Sequence, residues 1–284
     1  KLGGFTKGRD RSFHFGTQEY KIVGMISHLG PQLGVADGIA LADLINERKK
    51  VTAVFTGEGG TSEGDFHEAL NIASVWNLPV LFCIENNGYG LSTPTNEQYN
   101  CTRLSDRGQA YGMESYTIEG NNIAEVYTQV KALCQSIREN PRPILLEFIT
   151  FRMRGHEEAS GTKYVPEELL QEWAEKDPIS NYESFLIREG LLDKGQIEEL
   201  RTKIEDEISE HLKIAFDEPS VEFNLTQELT DVYHPHNFEE IKPKGTTSNI
   251  RFVDAVSEGL QQSMERNDDL VIMASEVGVL DIPS

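Results

Sequence analysis

The sequence has few cysteines and no long apolar run, and each absence excludes a class of protein. Its three cysteines are Cys83, Cys101 and Cys134. They lie far apart without a Cys-x-x-Cys pair, which excludes a disulfide framework and a structural zinc site and fits a reducing cytosol. No stretch approaches the ~18 apolar residues of a membrane helix. Since the first residues also lack the apolar core of a secretory signal, we expect a cytoplasmic protein without a membrane span.

Basic residues are also scarce. The 284-residue chain has 26 Lys and Arg against 47 Asp and Glu, which gives a formal net charge of −21 at pH 7. Proteins that bind nucleic acids usually present a basic face, so we expect no nucleic-acid partner. Much of the acidity falls in residues 157–240, where a solvated surface is a simpler interpretation than an acidic docking site.

The first half of the chain has the pattern of a β-α-β unit. Apolar residues at helical spacing predict a helix over residues 35–48, and a β-branched and aromatic run predicts a buried strand over residues 51–55. A helix over 63–76, a strand over 79–84 and a later strand over 144–150 follow from the same rules. Strands joined by a crossover helix run parallel. The sequence therefore predicts an α/β fold with a mostly parallel sheet flanked by helices.

The pattern changes in the second half. Helices are predicted over residues 166–176 and 196–215, the second with an apolar stripe formed by Ile197, Leu200, Ile204, Ile208 and Leu212. Residues 231–249 have little periodicity, so they are interpreted as a linker between a domain of residues 1–230 and one of residues 250–284. The latter starts with a helix over 252–264 and a strand over 270–274. We expect this second α/β domain to be incomplete.

A polar turn follows each of the first two predicted strands. Residues 57–60 read Gly-Glu-Gly-Gly and residues 85–88 read Glu-Asn-Asn-Gly. Open parallel sheets bind ligands at the carboxyl ends of their strands. Glycines let the backbone approach a phosphate, and the following helix N-terminus favours an anion. The Glu58 carboxylate, the Asn87 amide oxygen and a nearby backbone carbonyl suit Mg²⁺. Together the turns predict a diphosphate–magnesium site, although either one alone is more simply a solvated loop.

These turns belong to a longer segment that resembles a known fingerprint. Residues 57–94, GEGGTSEGDFHEALNIASVWNLPVLFCIENNGYGLSTP, are similar to the thiamine-diphosphate motif, in which Gly-Asp/Glu-Gly precedes Asn-Asn by about this spacing. Over roughly residues 3–235, the chain resembles the α subunit of the E1 component of 2-oxoacid dehydrogenases. Most members have Asp where this chain has Glu58. That departure, and the run from Asn87 to Pro94, are shared with branched-chain (2-oxoisovalerate) members.

The resemblance implies roles for particular residues. Glu58, Asn87 and the carbonyl oxygen of Tyr89 would bind Mg²⁺, and Gly59 and Gly60 would contact the diphosphate of thiamine diphosphate.

Upstream, residues 27–32 (SHLGPQ) align with the family's segment under the aminopyrimidine ring. Leu29 falls where a bulky apolar residue bends the cofactor, and Ser27 falls near its 4′-amino group. His28 is not typical of the better-known members, so it is also interpretable as a half-buried loop histidine. His14 resembles a family position that could border the substrate or simply pack in a loop.

A third motif, Arg-Met-Arg-Gly-His, follows the predicted strand over residues 144–150 and ends at His156. The family carries a functional histidine in the equivalent loop. By resemblance, His156 orients the cofactor and assists acyl transfer to a lipoyl group, which is proton work that imidazole can perform. Glu157 occupies the position of a serine that is phosphorylated in the mitochondrial enzymes, so phosphorylation at this position is excluded.

The tail resembles a different subunit. Residues 250–278 are similar to the start of the E1 β subunit, with the family's glutamate at Glu276, and residues 279–284 are similar to a later β segment. The resemblance implies an α–β fusion whose β half is mostly missing, with residues absent between Gly278 and Val279. The β glutamate that activates thiamine has no counterpart among these residues.

The resemblance therefore implies an E1 enzyme that decarboxylates a 2-oxo acid, with 2-oxoisovalerate favoured, and acylates the lipoyl group of an E2 acyltransferase. We expect a homodimer of fused chains, because the family's cofactor lies between α and β surfaces. Pyruvate or acetoin is an alternative substrate, because the residues of the substrate pocket decide between them and several of these residues should come from the missing β half. Transketolase-like enzymes lack the Arg-x-Arg-Gly-His loop and the β-like tail. A non-catalytic thiamine-diphosphate-binding module is disfavoured by Glu58, Asn87 and His156.

Overall fold

The fold was obtained as a computed structural model, which describes residues 4–9, 14–24, 28–157, 159–238, 240, 242, 245 and 247–272. The chain divides into two units, Lys1–Val221 and Glu222–Ser284. The predicted site lies in the first unit.

A parallel sheet forms the centre of the first unit. The strands of this unit are β1 (Thr52–Gly57), β2 (Val80–Asn86), β3 (Tyr89–Gly90), β4 (Thr93–Pro94), β5 (Glu114–Glu119) and β6 (Ile144–Ile149). Four of them lie side by side in the order β1-β2-β6-β5, all parallel, and β3 and β4 form a separate antiparallel hairpin. The central strands β2 and β6 are nearly continuous apolar runs because helices cover both of their faces.

Helices flank the sheet on both faces. The first unit contains α1 (Pro31–Ile45), α2 (Gly64–Trp76), α3 (Arg107–Ala110), α4 (Ile123–Glu139), α5 (Glu167–Ala174), α6 (Pro178–Arg188) and α7 (Lys194–Asp217). On one face, Leu33 of α1 and Phe66 of α2 join a core with Phe82 of β2. On the other face, Val130 of α4 packs against a second core that includes Leu146 of β6. Short 3₁₀ helices span Gly59–Ser62, Thr95–Glu97 and Leu104–Asp106.

The second unit contains two helices among its described residues, α8 (Leu225–Val232) and α9 (Phe252–Arg266). The described residues between 233 and 250 form neither helix nor strand. The predicted strand over 270–274 is not formed at residues 270–272, and residues 273 and 274 lie outside the described residues. The domain boundaries at residues 230 and 250 stay predictions.

The predicted fold class, an α/β fold with a parallel sheet flanked by helices, is confirmed. The three predicted strands of the first unit correspond to β1, β2 and β6, and the predicted helices correspond to α1, α2, α5, α7 and α9. None of the helices in the described ranges is long and apolar enough to cross a membrane.

The strand β5 and the helix α4 were not predicted from the sequence. β5 is an edge strand in which Ile118 is the one buried residue, so it contains no apolar run. The helix α4 does carry a recognisable signal. Its apolar residues repeat at helical spacing, and the Asn122 side chain accepts a hydrogen bond from the backbone N–H of Glu125 at 3.3 Å, which caps the first turn.

Candidate functional site

The two polar turns meet at one edge of the sheet. Gly57 at the end of β1 is in register with Glu85 near the end of β2, so the next residues of both strands emerge side by side. The backbone N–H of Asn87 donates a hydrogen bond to Glu58 Oε2 at 3.0 Å. Glu58 is 1% exposed. The structure thus brings the Glu58 side chain to the backbone of Asn87, and these are two of the residues that the sequence predicted as cation ligands.

The glycine turn is tightly packed, and small residues are required for that packing. Gly59 begins a 3₁₀ helix, and the Thr61 hydroxyl donates to the Glu58 carbonyl oxygen at 2.6 Å. A Cβ atom at Gly59 would lie 3.2 Å from the Cα atom of Gly90 in β3, and one at Gly60 would lie 2.3 Å from Thr56 Oγ1. Residues 59 and 60 therefore keep bare backbone beside Glu58, as a phosphate contact needs.

The two asparagines of the second turn have different hydrogen-bond partners. Asn86 uses its side-chain N–H groups on Glu147 and Tyr99, inside the protein. The Asn87 amide oxygen accepts from the backbone N–H of Tyr89 at 3.2 Å, and the Asn87 backbone N–H donates to Glu58. Gly88, which follows the two asparagines, has φ +86°, a left-handed conformation that glycine adopts without strain.

Negative charge accumulates at this edge of the sheet. Partial burial raises the pKa of Glu85, and the charge of nearby Glu58 raises it further. An electrostatic repulsion of this kind is relieved when a cation binds between or beside the carboxylates.

The oxygen donors at this edge fit a magnesium ion held by a diphosphate. A carboxylate at Glu58, an amide oxygen at Asn87 and the Tyr89 backbone lie in two touching turns. No group of three or more His, Cys, Asp or Glu side chains able to hold a metal occurs in the described part of the chain. Magnesium in diphosphate sites needs few side-chain ligands, because phosphate oxygens and water complete its shell.

Leu29 lies against the glycine turn. A Cβ atom at Gly60 would be 4.0 Å from Leu29 Cβ, and Leu29 itself is 56% exposed. Gln32 connects this segment to β1, since it accepts from Gly30 N at 3.0 Å and donates to the Phe55 carbonyl oxygen at 3.4 Å. An exposed apolar side chain beside the turn is available to a bound ligand. Ser27, predicted near the 4′-amino group, lies outside the described residues.

The loop that carries His156 packs against the β3–β4 hairpin. Arg152 Nη1 is 3.3 Å from His156 Nδ1, and Arg152 Nη2 donates to the Leu91 carbonyl oxygen and, at 3.0 Å, to the Tyr164 hydroxyl. The rings of Tyr89 and Tyr164 also meet edge to face, with centroids 5.6 Å apart. His156 is exposed.

The remaining candidate histidines differ in exposure. His28 is exposed and His14 is half-buried. Their roles stay predictions.

Residues that the sequence did not single out support both turns. Arg107 Nη1 donates to the Thr61 carbonyl oxygen at 2.6 Å, and its guanidinium lies 5.5 Å from the centre of the Tyr99 ring. The hydroxyl of the same Tyr99 accepts from Asn86. Glu147 also supports the second turn, since it accepts from Asn86. It could have been noticed in the sequence, because it is an acidic residue inside the otherwise apolar strand β6.

Comparison with known proteins decides the family. The family described as "Dehydrogenase E1 component" matches residues 2–224. The chain belongs to this family. The family is one of oxidoreductases, and it confirms the E1 resemblance of the sequence. The matched range nearly coincides with the first unit of the E1 chain, which ends at Val221.

The similar proteins are α subunits of several types. The α subunit of an acetoin:2,6-dichlorophenolindophenol oxidoreductase from Bacillus subtilis is 33% identical over 82% of the E1 chain. The 2-oxoisovalerate dehydrogenase α subunit of the same organism is 37% identical over 76%. A pyruvate dehydrogenase E1 α subunit from Rickettsia bellii is 28% identical over 81%. Similarity is thus spread over three substrate types.

The E1 chain spans only part of the length of its relatives. The match covers 69%, 67% and 70% of these three proteins, and 50% of the 2-oxoisovalerate dehydrogenase α2 subunit of Arabidopsis thaliana. A solved structure of a putative thiamin diphosphate-dependent enzyme from Mycobacterium smegmatis overlaps 44% of the E1 chain and 22% of its own chain, at 22% identity and a TM-score of 0.36.

Proposed function

We propose that this chain is the thiamine-diphosphate- and Mg²⁺-binding part of the E1 component of a 2-oxoacid dehydrogenase complex. The observation that carries the proposal is the contact between the two turns, in which Asn87 N donates to the buried Glu58 carboxylate at 3.0 Å. Membership in the E1 family implies thiamine diphosphate as the cofactor. This edge of the sheet supplies the donor types that a diphosphate–magnesium group requires.

Each residue has a defined task in this proposal. Glu58, the Asn87 amide oxygen and the Tyr89 carbonyl oxygen hold Mg²⁺, and the bare backbone at Gly59 and Gly60 contacts the diphosphate. The apolar side chain of Leu29 supports the organic part of the cofactor, next to Ser27.

When bound, thiamine diphosphate supplies the electron sink for decarboxylation of a 2-oxo acid. His156 would move a proton during acyl transfer to the lipoyl group of an E2 partner, and Arg152 would hold its imidazole at Nδ1.

The favoured substrate is a branched-chain 2-oxo acid such as 2-oxoisovalerate. Two features support it, namely Glu58 with the run from Asn87 to Pro94, and the 37% identity to a 2-oxoisovalerate dehydrogenase α subunit. The second candidate is pyruvate or acetoin, which the acetoin and pyruvate relatives favour at 33% and 28% identity. Fusion to a β subunit, assembly as a homodimer and a cytoplasmic location complete the proposal. They rest on the β-like tail and the composition of the sequence.

The cofactor site is tested by Glu58→Gln, which keeps an acceptor for Asn87 N but removes the charge. Full-length wild-type protein should bind thiamine diphosphate in the presence of Mg²⁺. The variant should lose at least about tenfold in Mg²⁺-dependent affinity, because a carboxylate is the strongest protein ligand for this cation. Isothermal titration calorimetry measures this affinity for thiamine diphosphate in the presence of Mg²⁺. Glu68→Gln, the same change at an exposed position of α2, is the matched control and should bind normally. Normal binding by Glu58→Gln would remove Glu58 from the site.

The substrate is tested by turnover of 2-oxoisovalerate, 4-methyl-2-oxopentanoate, pyruvate and acetoin with an artificial electron acceptor. We expect preference for the two branched acids. Preference for pyruvate or acetoin would reassign the substrate and leave the cofactor site unchanged. Binding of the cofactor without any turnover would support the non-catalytic alternative.

A further inference from the structure

We propose that Glu147 is a positioning residue for the cation site, acting through Asn86 on the turn that carries Asn87. The inference rests on the proposed function, since it concerns the affinity of that site for a divalent cation. Glu147 touches neither of the two side chains proposed as metal ligands.

Glu147 is a fully buried carboxylate in the central strand of the sheet. It lies in β6 at 0% exposure, in a strand whose other residues are apolar. Burial of a charged side chain is costly unless hydrogen bonds compensate it. Three groups donate to this carboxylate. Asn86 Nδ2 donates to Oε1 at 2.8 Å, while Ser105 N at 3.1 Å and Thr117 Oγ1 at 3.0 Å donate to Oε2.

The two carboxylate oxygens therefore have different roles. Oε2 faces the edge strand β5 and the 3₁₀ helix Leu104–Asp106, and its two donors tie the sheet to that helix. Oε1 faces the carboxyl end of β2, where Asn86 donates to it. The bonds at Oε2 therefore stabilise the fold, while the bond at Oε1 restrains the turn that carries Asn87.

Asn86 passes this restraint on to the turn. Its second amide hydrogen goes to the Tyr99 hydroxyl at 3.1 Å, and its side-chain oxygen accepts from Gly88 N at 3.2 Å. Because a carboxylate only accepts, Glu147 fixes which end of the Asn86 amide carries the N–H groups, and thereby directs the oxygen at Gly88. The Asn86 carbonyl oxygen also accepts from Thr150 N at 2.9 Å.

The backbone around Asn87 is therefore restrained at two points. Gly88 N is bound on one side, and Asn87 N is bound to Glu58 itself. A ligand set that is already in place avoids the conformational entropy cost of ordering the turn when the cation binds. Loss of the Glu147–Asn86 bond should therefore weaken cation binding more than it weakens the fold.

The experiment compares two variants at the same carboxylate. In Glu147→Gln, the new amide group faces donors on both sides, so one hydrogen bond is replaced by a donor–donor contact. Thr117→Val removes one donor to Oε2 and leaves the Asn86 bond to Oε1 in place. The probe is Mn²⁺ with saturating thiamine diphosphate and full-length protein, with the Kd measured by electron paramagnetic resonance well below the Tm of each variant.

We expect the Kd for Mn²⁺ to rise about 10- to 100-fold in Glu147→Gln, the usual effect of losing a residue that orients a metal ligand, and less than about threefold in Thr117→Val. Equal shifts of Kd in the two variants, or an unchanged Kd in Glu147→Gln, would overturn the positioning role. If Glu147→Gln does not fold, Asn86→Ala provides the test, because it removes the side chain through which Glu147 acts on Gly88 and leaves both donors to Oε2 in place. An unchanged Kd in Asn86→Ala then overturns the role, and a several-fold rise supports it.

The wild-type protein separates failure of this inference from failure of the proposed function. If it binds no Mn²⁺ with thiamine diphosphate, the proposed function is wrong and this inference fails with it. If it binds both and Glu147→Gln binds them equally well, only the role of Glu147 is wrong.

Discussion

At the scale of single residues, Asp37 is an unusual buried acid. It lies in α1 at 5% exposure, and neither carboxylate oxygen has a hydrogen-bond partner among the described residues. Burial raises its pKa from 3.8 to about 7. The folded state therefore binds this proton more tightly than the unfolded state does. The resulting stability penalty is absent at low pH and grows as the pH rises from about 4 to about 7.

Asp37→Asn should consequently stabilise the protein at pH 8 by roughly 2–4 kcal/mol and leave it nearly unchanged at pH 4, since one pKa unit corresponds to about 1.4 kcal/mol. Urea unfolding of both proteins at the two pH values measures the difference. Asp206→Asn, at an exposed position of α7, is the control and should show no such pH dependence. A benefit that is the same at both pH values would contradict titration of Asp37.

Gly60 is the second residue whose surroundings allow little change. A Cβ atom there would lie 2.3 Å from Thr56 Oγ1, so Gly60→Ala should cost about 1–3 kcal/mol of unfolding free energy and weaken cofactor binding. The double variant Thr56→Ala/Gly60→Ala removes the overlapping hydroxyl and should recover most of the loss. Chemical unfolding and cofactor titration measure both effects. Failure of the double variant to recover would show that Thr56 is not the obstacle.

At the scale of elements, contacts between loops complete the site. The β3–β4 hairpin and the loop after β6 are far apart in sequence, but Arg152 bonds the Leu91 carbonyl oxygen and contacts His156. The planar guanidinium does this with separate nitrogens, which the single amine of a lysine does not reproduce.

Arg152→Lys should therefore loosen the His156 loop without unfolding the sheet. We expect hydrogen exchange of the amides of residues 154–164 to accelerate about tenfold or more, while the amides of β2 and β6 stay protected. Mass spectrometry of peptic fragments measures it. Arg138→Lys, at an exposed position of α4, is the matched control and should leave the loop unchanged. Unchanged exchange in Arg152→Lys would show that Arg152 does not hold this loop.

The long helix α7 shows how an element can be predicted correctly and its environment missed. The predicted apolar stripe lies on a helix, as expected. Within that stripe Ile197 is buried, with 8% of its surface exposed, but Leu200 and Ile208 are 51% and 54% exposed. Helical spacing indicates which residues share a face, and it carries no information on what covers that face.

At the scale of the whole molecule, the segment between α8 and α9, inside the second unit, is the expected weak point. The described residues from 233 to 250 form no helix or strand, and backbone without such hydrogen bonds is open to proteases. Brief digestion with trypsin or Glu-C should cut first between residues 233 and 251 and leave a fragment ending near Val232 that unfolds cooperatively. Mass spectrometry and thermal unfolding test this. First cleavage within α1–α4 would contradict it.

The sequence by itself determined the central strands and the position of the two turns. Buried strands such as β2 are apolar runs, and polar turns with glycine end them, so both follow from local composition. It also determined Glu58 and Asn87 as neighbours, because parallel strands joined by a helix end at the same edge.

Only the tertiary structure decided how the turns are held. The bonds from Glu147 to Asn86 and from Arg152 to Leu91 join residues 61 positions apart in each case. The register between β2 and β6 and the packing of two loops create these contacts. Such contacts depend on long-range geometry that no local pattern specifies, because a hydrogen bond forms only when both partners arrive at the right distance and angle.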